Sequence, residues 1–380
     1  MAENNSSSSG VPEIDSMDAL LERTLTSSEI DDQVETSGHT VAVTFSSQDF
    51  PVDGLVKRLE QGSMIVPQFG TRDERVTTAG FQRGFVWTKK QMDKFIESLL
   101  LGYPIPGIFL VKQVSDNRLL VLDGQQRLET LRRFYRGLDG DKAFRLQNVG
   151  AEFAGETYES LDEELRLKLD DSYMSATIVV ADGSKEVNDA IYGIFERLNS
   201  GGTQLTPHEI RMALFAGALI DSIAVLNANP SWRALYGLPS RRARDHELIL
   251  RSLALFECAE EYKRPLKSFL NEYVEDRREL NIADEEQGKA FVAACGALED
   301  QVGTEAFRLD SKGAVNAAIA ESVLSAVMHV MADSAPIPVD LERRVALLKE
   351  DEAFIRAVTR ATADNDAVRI RLARARAFIC

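Results

Sequence analysis

LLVLDGQQRLETLRRF, residues 119–134, is the stretch that decides the fold. Leu119 to Leu122 form a short apolar run with the length of a buried strand. Asp123 closes that run, Gly124 permits a turn, and from there Leu128, Leu131 and Tyr135 recur at helical spacing as far as Arg136. A strand that passes through glycine straight into a helix brings free backbone N–H groups to one point, at the positive end of the helix dipole. Such a point suits an anion, and Gly124 lets one approach. Gln125 and Gln126 add amide donors, and Arg127 adds a planar fork suited to phosphate oxygens. Asp123 is placed to orient the arginine or a metal-bound water. The local pattern is equally compatible with Asp123 as a plain helix cap and Arg127 on a solvated face.

Working outward, IFLVKQV (108–114) and RLLVLD (118–123) flank Ser115-Asp116-Asn117 and read as a β-hairpin. Residues 89–101 read as a helix, with Met92, Phe95, Ile96, Leu99 and Leu100 on one face. Thr88 and Gln91 supply a capping box, and Gly102 and Pro104 stop the helix. VAVTF (41–45), AFRLQNV (143–149) and SATIVVAD (175–182) are further strand candidates, and VDGLVKRLEQG (52–62) reads as a short helix ended by Gly62. After Ser184 the pattern is helical throughout, in segments beginning near 187, 207, 245, 287, 313 and 350, with no repeat of fixed period. The expected class is α+β: an α/β unit over 39–184 followed by an all-α unit over 185–380.

The chain has 380 residues and a net charge of −16. Residues 1–53 hold eleven acids against Arg23 alone, so most of that charge sits in an N-terminal arm. Residues 1–38 are Ser-rich and poor in aromatics, the composition of a disordered segment. The rest is close to balanced, which permits local basic surfaces yet argues against tight, non-specific DNA binding. No apolar run approaches the roughly 18 residues of a membrane span. The N-terminus has no secretory signal pattern. Cys258, Cys295 and Cys380 are scattered without a CxxC, so a reducing cytoplasm is expected.

Three further stretches bear on chemistry. GFQRGFVW (80–87) repeats a Gln-Arg pair, Gln82 and Arg83, among aromatics that either stack a base or anchor a loop. IFERLNSGGTQLTPHEIRMALF (194–215) is explained from Leu205 to Ile210 by helix capping: Thr206 as N-cap, Pro207 at the first helical position, Glu209 closing the box, and Leu205 with Ile210 as a staple. Asn199 and the glycines after it are left over for a ligand or for a helix C-cap. SRRARDHELILR (240–251) places Arg241, Arg242 and Arg244 either in a salt-bridged helix entry or against a phosphate or DNA. His39, His208, His246 and His329 have no partners at ligand spacing, so no histidine metal centre is expected. There is no GxxxxGK[ST], which excludes an ordinary P-loop.

Taken in order, FQRGFVW, SLLLGYPIPGIFLV, VLDGQQRLETL and FERLNSGGTQLTPHEIR resemble the domain-of-unknown-function-262 family over about residues 55–255. That family includes the N-terminal domains of GmrSD-type, modification-dependent restriction proteins. The resemblance implies a ParB/sulfiredoxin-like fold for the N-terminal unit. It also implies nucleoside-triphosphate binding and hydrolysis through the DGQQR motif, with Mg²⁺, gating DNA cleavage by an HNH-type nuclease. Carried over by position, Asp123, Gln126 and Arg127 would be catalytic. Gln82, Arg83, Gly124, Gln125 and Asn199 would bind the nucleotide.

Two features depart from the family. An inserted loop separates Ile65-Val66-Pro67 from Gln82-Arg83, and the C-terminal helices lack the His-Asn-His pattern. The implied protein is a cytoplasmic, nucleotide-binding sensor of a DNA-restriction or anti-phage system that works with a separate nuclease or effector. The alternatives are a non-hydrolytic adaptor responsive to nucleotide or DNA, and a ParB-like DNA clamp.

Overall fold

The computed structural model describes residues 43–66, 85, 87–114, 117–182, 184–198, 206–215, 217–240, 242–310, 313–333 and 335–380. The acidic arm expected at 1–38 lies outside them, as do Gln82, Arg83, Asn199, Leu205 and Arg241.

The first unit is built on five strands: β1 (Phe45–Pro51), β2 (Met64–Ile65), β3 (Ile108–Gln113), β4 (Leu119–Asp123) and β7 (Tyr173–Ala181). The short hairpin β5 (Leu138–Asp139) and β6 (Lys142–Ala143) stands apart from them. The sheet order is β1-β7-β3-β4-β2. The β1/β7 and β3/β4 pairs are antiparallel, and the β3/β7 and β2/β4 pairs are parallel. Helices α1 (Val52–Glu60), α2 (Lys89–Leu101), α3 (Gln125–Arg136) and α4 (Glu163–Asp170) belong to this unit.

Because side chains alternate across a strand, the sheet has two different faces. Phe50, Ile108, Leu110, Val121, Ala176 and Ile178 point to one face and pack against Leu55, Ile96, Leu128 and Leu131 of the helices. Val111, Leu120, Leu122 and Val179 point to the other and join the large core of the C-terminal helices, beginning with Ile191, Tyr192 and Ile210. One end of that second face is thus sealed. The other end carries Ser47, Asp49 and Ser175, which are exposed.

Most local expectations hold. Helix α2 has its Thr88–Gln91 capping box and ends at Gly102 in the left-handed conformation. The strand–Gly–helix reading of 119–136 holds too, with Leu128, Leu131 and Phe134 as the buried side of α3. Tyr135, expected on that side, packs half-buried against the same core and stacks on Tyr158 at 4.1 Å. The first ladder starts at Phe45, later than the VAVTF reading.

AFRLQNV is not a sheet strand. Only Ala143 pairs, in the small hairpin. Phe144 and Leu146 are fully buried, while the backbone N–H groups of Gln147 and Asn148 donate to the Asp93 carboxylate at 3.2 and 3.0 Å. A buried side-chain acceptor takes the place of a neighbouring strand.

Helices α5 (Lys185–Leu198), α6 (Pro207–Leu214), α7 (Ala218–Asn227), α8 (Pro230–Tyr236), α9 (Arg244–Cys258), α10 (Leu266–Asp276), α11 (Glu286–Gln301), α12 (Ala317–Ala332), α13 (Leu341–Leu348), α14 (Glu352–Thr359) and α15 (Asn365–Ile379) form the second unit. Almost every residue of α12 from Ala318 to Met328 is buried, so α12 is its central rod. Glu321 on α12 accepts from Arg251 of α9 at 2.6 Å and from Arg371 of α15. Burial opposes ionisation of Glu321, but the two guanidinium groups outweigh it and hold the carboxyl below its ordinary range. His329 is half-buried on the same helix, beside Phe256 and Arg376. Among the described residues, no helix is long and apolar enough to cross a membrane.

Candidate functional site

A β-bulge aims the first functional side chain. In the β3/β4 ladder, Leu110 faces Val121 but Phe109 faces Asp123, so Leu122 is the extra residue. The slip turns Asp123 to the same side as Phe109, at the open end of the sheet face, where its side chain is 57% exposed. Gly124 follows at φ +95° and serves as N-cap of α3 without any side-chain cap. A Cβ at this position would collide with Cγ2 of Ile108. Only glycine satisfies both the left-handed backbone and the close approach of β3. Gly124 thus gives the first-turn N–H groups of α3 no side-chain cap from the N-cap position, and that turn carries no acidic residue.

Arg127 sits one turn into the helix and points back. Its guanidinium donates to Asp123 Oδ2 at 2.8 Å, to the Gly107 carbonyl at 2.8 Å and to the Pro106 carbonyl. It is thereby committed to protein oxygens, clamping the 106–107 entry of β3 to the end of β4. Gly107 matters for the same closure, since a Cβ there would lie 2.8 Å from the Ser175 carbonyl oxygen.

Gln126 and Gln125 are also engaged. The Gln126 Oε1 accepts from the Trp87 backbone N–H at 3.2 Å, and the Gln125 amide donates to the Val121 carbonyl at 3.4 Å. Trp87 meets Phe95 edge-on at 5.6 Å, and the Phe85 ring lies 3.8 Å beneath the Arg133 guanidinium. Phe85 and Trp87 are thus anchors: the Phe85 ring and the Trp87 backbone meet the DGQQR helix, and the Trp87 ring meets α2.

A cleft of about 380 Å³ opens beside Asp123 across four strands. It is lined by Asp49 and Ser47 of β1, Ser175 and Thr177 of β7, Phe109 of β3 and Asp123. The Ser175 hydroxyl donates to Asp49 Oδ1 at 2.5 Å. No lysine or arginine lines the cleft among the described residues. Sequence reasoning did not find Asp49, Ser175 or Thr177, because a β1/β7 pairing across 126 residues leaves no local signal.

The arginine trio resolves differently. Arg242 is only 4% exposed and donates to Glu209 Oε2 at 3.1 Å. Of the two readings open for this stretch, Arg242 fits the salt-bridged one. The same Glu209 closes the Thr206 capping box, as anticipated. Arg244 is half-buried at the first residue of α9. Beside Glu209, His208 is fully buried; burial, reinforced by the Arg211 charge, pushes its pKa well below the ordinary value. His246 is lowered to about 4 by burial, against the opposing pull of Asp245. Among the described residues, no group of three His, Cys, Asp or Glu could hold a metal ion.

Residues 68–216 match the family model described as the GmrSD restriction endonuclease, N-terminal domain. The match covers less than half of the chain and runs from before α2 to just past α6. It takes in the Gln82-Arg83 pair, the DGQQR turn and Asn199. Over those residues the chain is similar to the N-terminal domain of GmrSD-type restriction proteins. Comparison with curated proteins and with solved structures finds no match.

Proposed function

We propose that this chain is a nucleotide-responsive subunit of a DNA-restriction system, binding a nucleoside triphosphate at the DGQQR turn and hydrolysing it to license cleavage by a separate nuclease. The observation that carries the reading is the N-terminus of α3 behind Gly124, an N-cap residue with no side chain, with the Asp123 carboxylate beside it in an open cleft. The matched family, whose description names a restriction endonuclease, supplies the biological setting.

In this reading the N–H groups of the first turn of α3 receive phosphate oxygens. Asp123 Oδ1, which has no partner among the described residues, orients the attacking water or a Mg²⁺ carried by the phosphates. One carboxylate with phosphate oxygens is an ordinary donor set for that ion, which would supply charge neutralisation. Gln126 and Arg127 act as positioning residues: the first holds Trp87, the second fixes Asp123. Gln82, Arg83 and Asn199 are assigned to the nucleotide on the resemblance alone. Arg83 is the candidate cation for the developing charge.

The absence of any cation among the described lining residues favours a second reading, in which nucleotide binding only switches contacts with a partner. The two separate by phosphate release from the purified chain with Mg²⁺ and each of the four nucleoside triphosphates, with and without DNA. Release that is lost in Asp123→Ala and in Arg83→Ala supports hydrolysis. Tight binding with no release supports the adaptor.

A further inference from the structure

Carboxylates in the cleft set the direction in which a nucleotide can lie. Asp49 and Asp123 are acceptor-only groups when ionised, and Ser47, Ser175 and Thr177 add hydroxyls. With two carboxylates and no lysine or arginine among the described lining residues, the cleft favours a ligand part that presents N–H or O–H donors. Three strand spacings separate β4 from β1, placing Asp49 on the order of 14 Å from Asp123. That span corresponds to a nucleoside between its phosphates and the far edge of its base. The cleft volume of about 380 Å³ falls within the roughly 300–1,000 Å³ of small-molecule sites.

We propose that this cleft is the nucleoside subsite, with the Asp49 carboxylate reading the donor edge of the base and the phosphates lying toward Gly124. The proposal rests on the nucleotide reading above and adds the orientation of the ligand and the chemistry of its base. Phe109, half-buried and lying between the two carboxylates, is the aromatic side chain in the cleft lining that a base can meet. Ser175 is a positioning residue: its hydroxyl donates to Asp49 Oδ1 and orients the carboxylate, whose two oxygens keep further acceptor sites for the ligand. A base with two adjacent N–H donors matches a carboxylate best, as an arginine does in a bidentate pair. Guanine has such an edge; hypoxanthine has one of the two donors, and uracil offers a single N–H between two carbonyls that a carboxylate repels.

The test is calorimetric titration of the full chain, in Mg²⁺, with inorganic triphosphate, GTP, ITP and UTP. The expected order is GTP, then ITP, then UTP, with GTP at least ten-fold tighter than triphosphate. Asp49→Asn, an isosteric change at an exposed site, should erase the margin of GTP over triphosphate and leave triphosphate affinity unchanged. Ser175→Ala should reduce that margin in part, and Ser175→Thr should restore it. Triphosphate binding together with an unaltered GTP margin in Asp49→Asn overturns the subsite and leaves the phosphate site standing. Failure of every probe to bind overturns both.

Discussion

Arg127 and Asp123 lie four residues apart across the strand–helix junction, with the guanidinium 2.8 Å from the carboxylate. The same guanidinium reaches the carbonyls of Pro106 and Gly107. An arginine that looks like a phosphate ligand in the sequence is, in the fold, the clamp that fixes the carboxylate. Arg127→Ala should therefore cost stability as well as function. With a side chain only 12% exposed and three acceptors left without their donor, a loss of about 1–3 kcal/mol is expected. Chemical denaturation checks this. A variant as stable as the parent would mean that the clamp is not needed to hold the junction.

Gly124→Ala tests the turn itself. The substitution adds a Cβ against Ile108 and forces an L-residue to φ +95°. A destabilisation of roughly 1–3 kcal/mol is expected. The companion Gly140→Ala keeps the positive-φ penalty at +62° but meets no atom within 4 Å, so it should cost less. Equal losses in the two variants would show that contact with Ile108 is not what requires glycine at 124.

Acid should weaken the helical unit before its carboxylates titrate. His208 and His246 are neutral in the folded state, with pKa values depressed below the unfolded value of about 6.5. As pH falls below about 6.5, the unfolded chain binds protons that the folded chain does not. The stability contributed by neutral burial is whole above that pH. For His246 it is lost progressively down to about pH 4, a change on the order of 3 kcal/mol. Melting curves from pH 7.5 to 4.5 should fall steeply in the parent and less so in His246→Gln. Identical slopes would contradict the assignment.

Glu321→Gln should be among the most damaging single changes in the C-terminal helices. It removes the charge of the carboxylate that Arg251 and Arg371, 8% and 1% exposed, share. Breaking a buried pair in this way typically costs about 3–5 kcal/mol. Equilibrium unfolding gives the value, and a loss below about 1 kcal/mol would mean that water or local rearrangement compensates the arginines.

What the sequence made legible was local. The capping boxes at Thr88 and Thr206, the 108–123 hairpin and the strand–Gly–helix turn are each written within about 15 residues, and each formed as read. What stayed hidden depended on register or on distant partners. The bulge at Phe109/Leu110 that turns Asp123 outward is invisible in a strand pattern. Asp49 meets Ser175 only because β1 and β7 pair. AFRLQNV has strand composition, but its Gln147 and Asn148 N–H groups go to Asp93, some fifty residues earlier, and those of Phe144 and Leu146 to loop carbonyls. Arg242 reads as a surface cation until Glu209 is found beside it.

The central claim, that a nucleotide binds at the turn from Asp123 to Arg127, is tested most directly by hydrogen–deuterium exchange of the full chain with and without saturating Mg²⁺ and nucleoside triphosphate. The N-cap residue of α3 is glycine and gives the first-turn amides no side-chain cap, so they should exchange readily in the free protein. Peptides covering Gly124 to Leu128 should then slow by ten-fold or more when ligand binds, with smaller protection over Ser47–Asp49 and Ser175–Thr177. Saturating ligand that leaves exchange at Gly124–Leu128 unchanged, or that protects only some other part of the chain, would contradict the account.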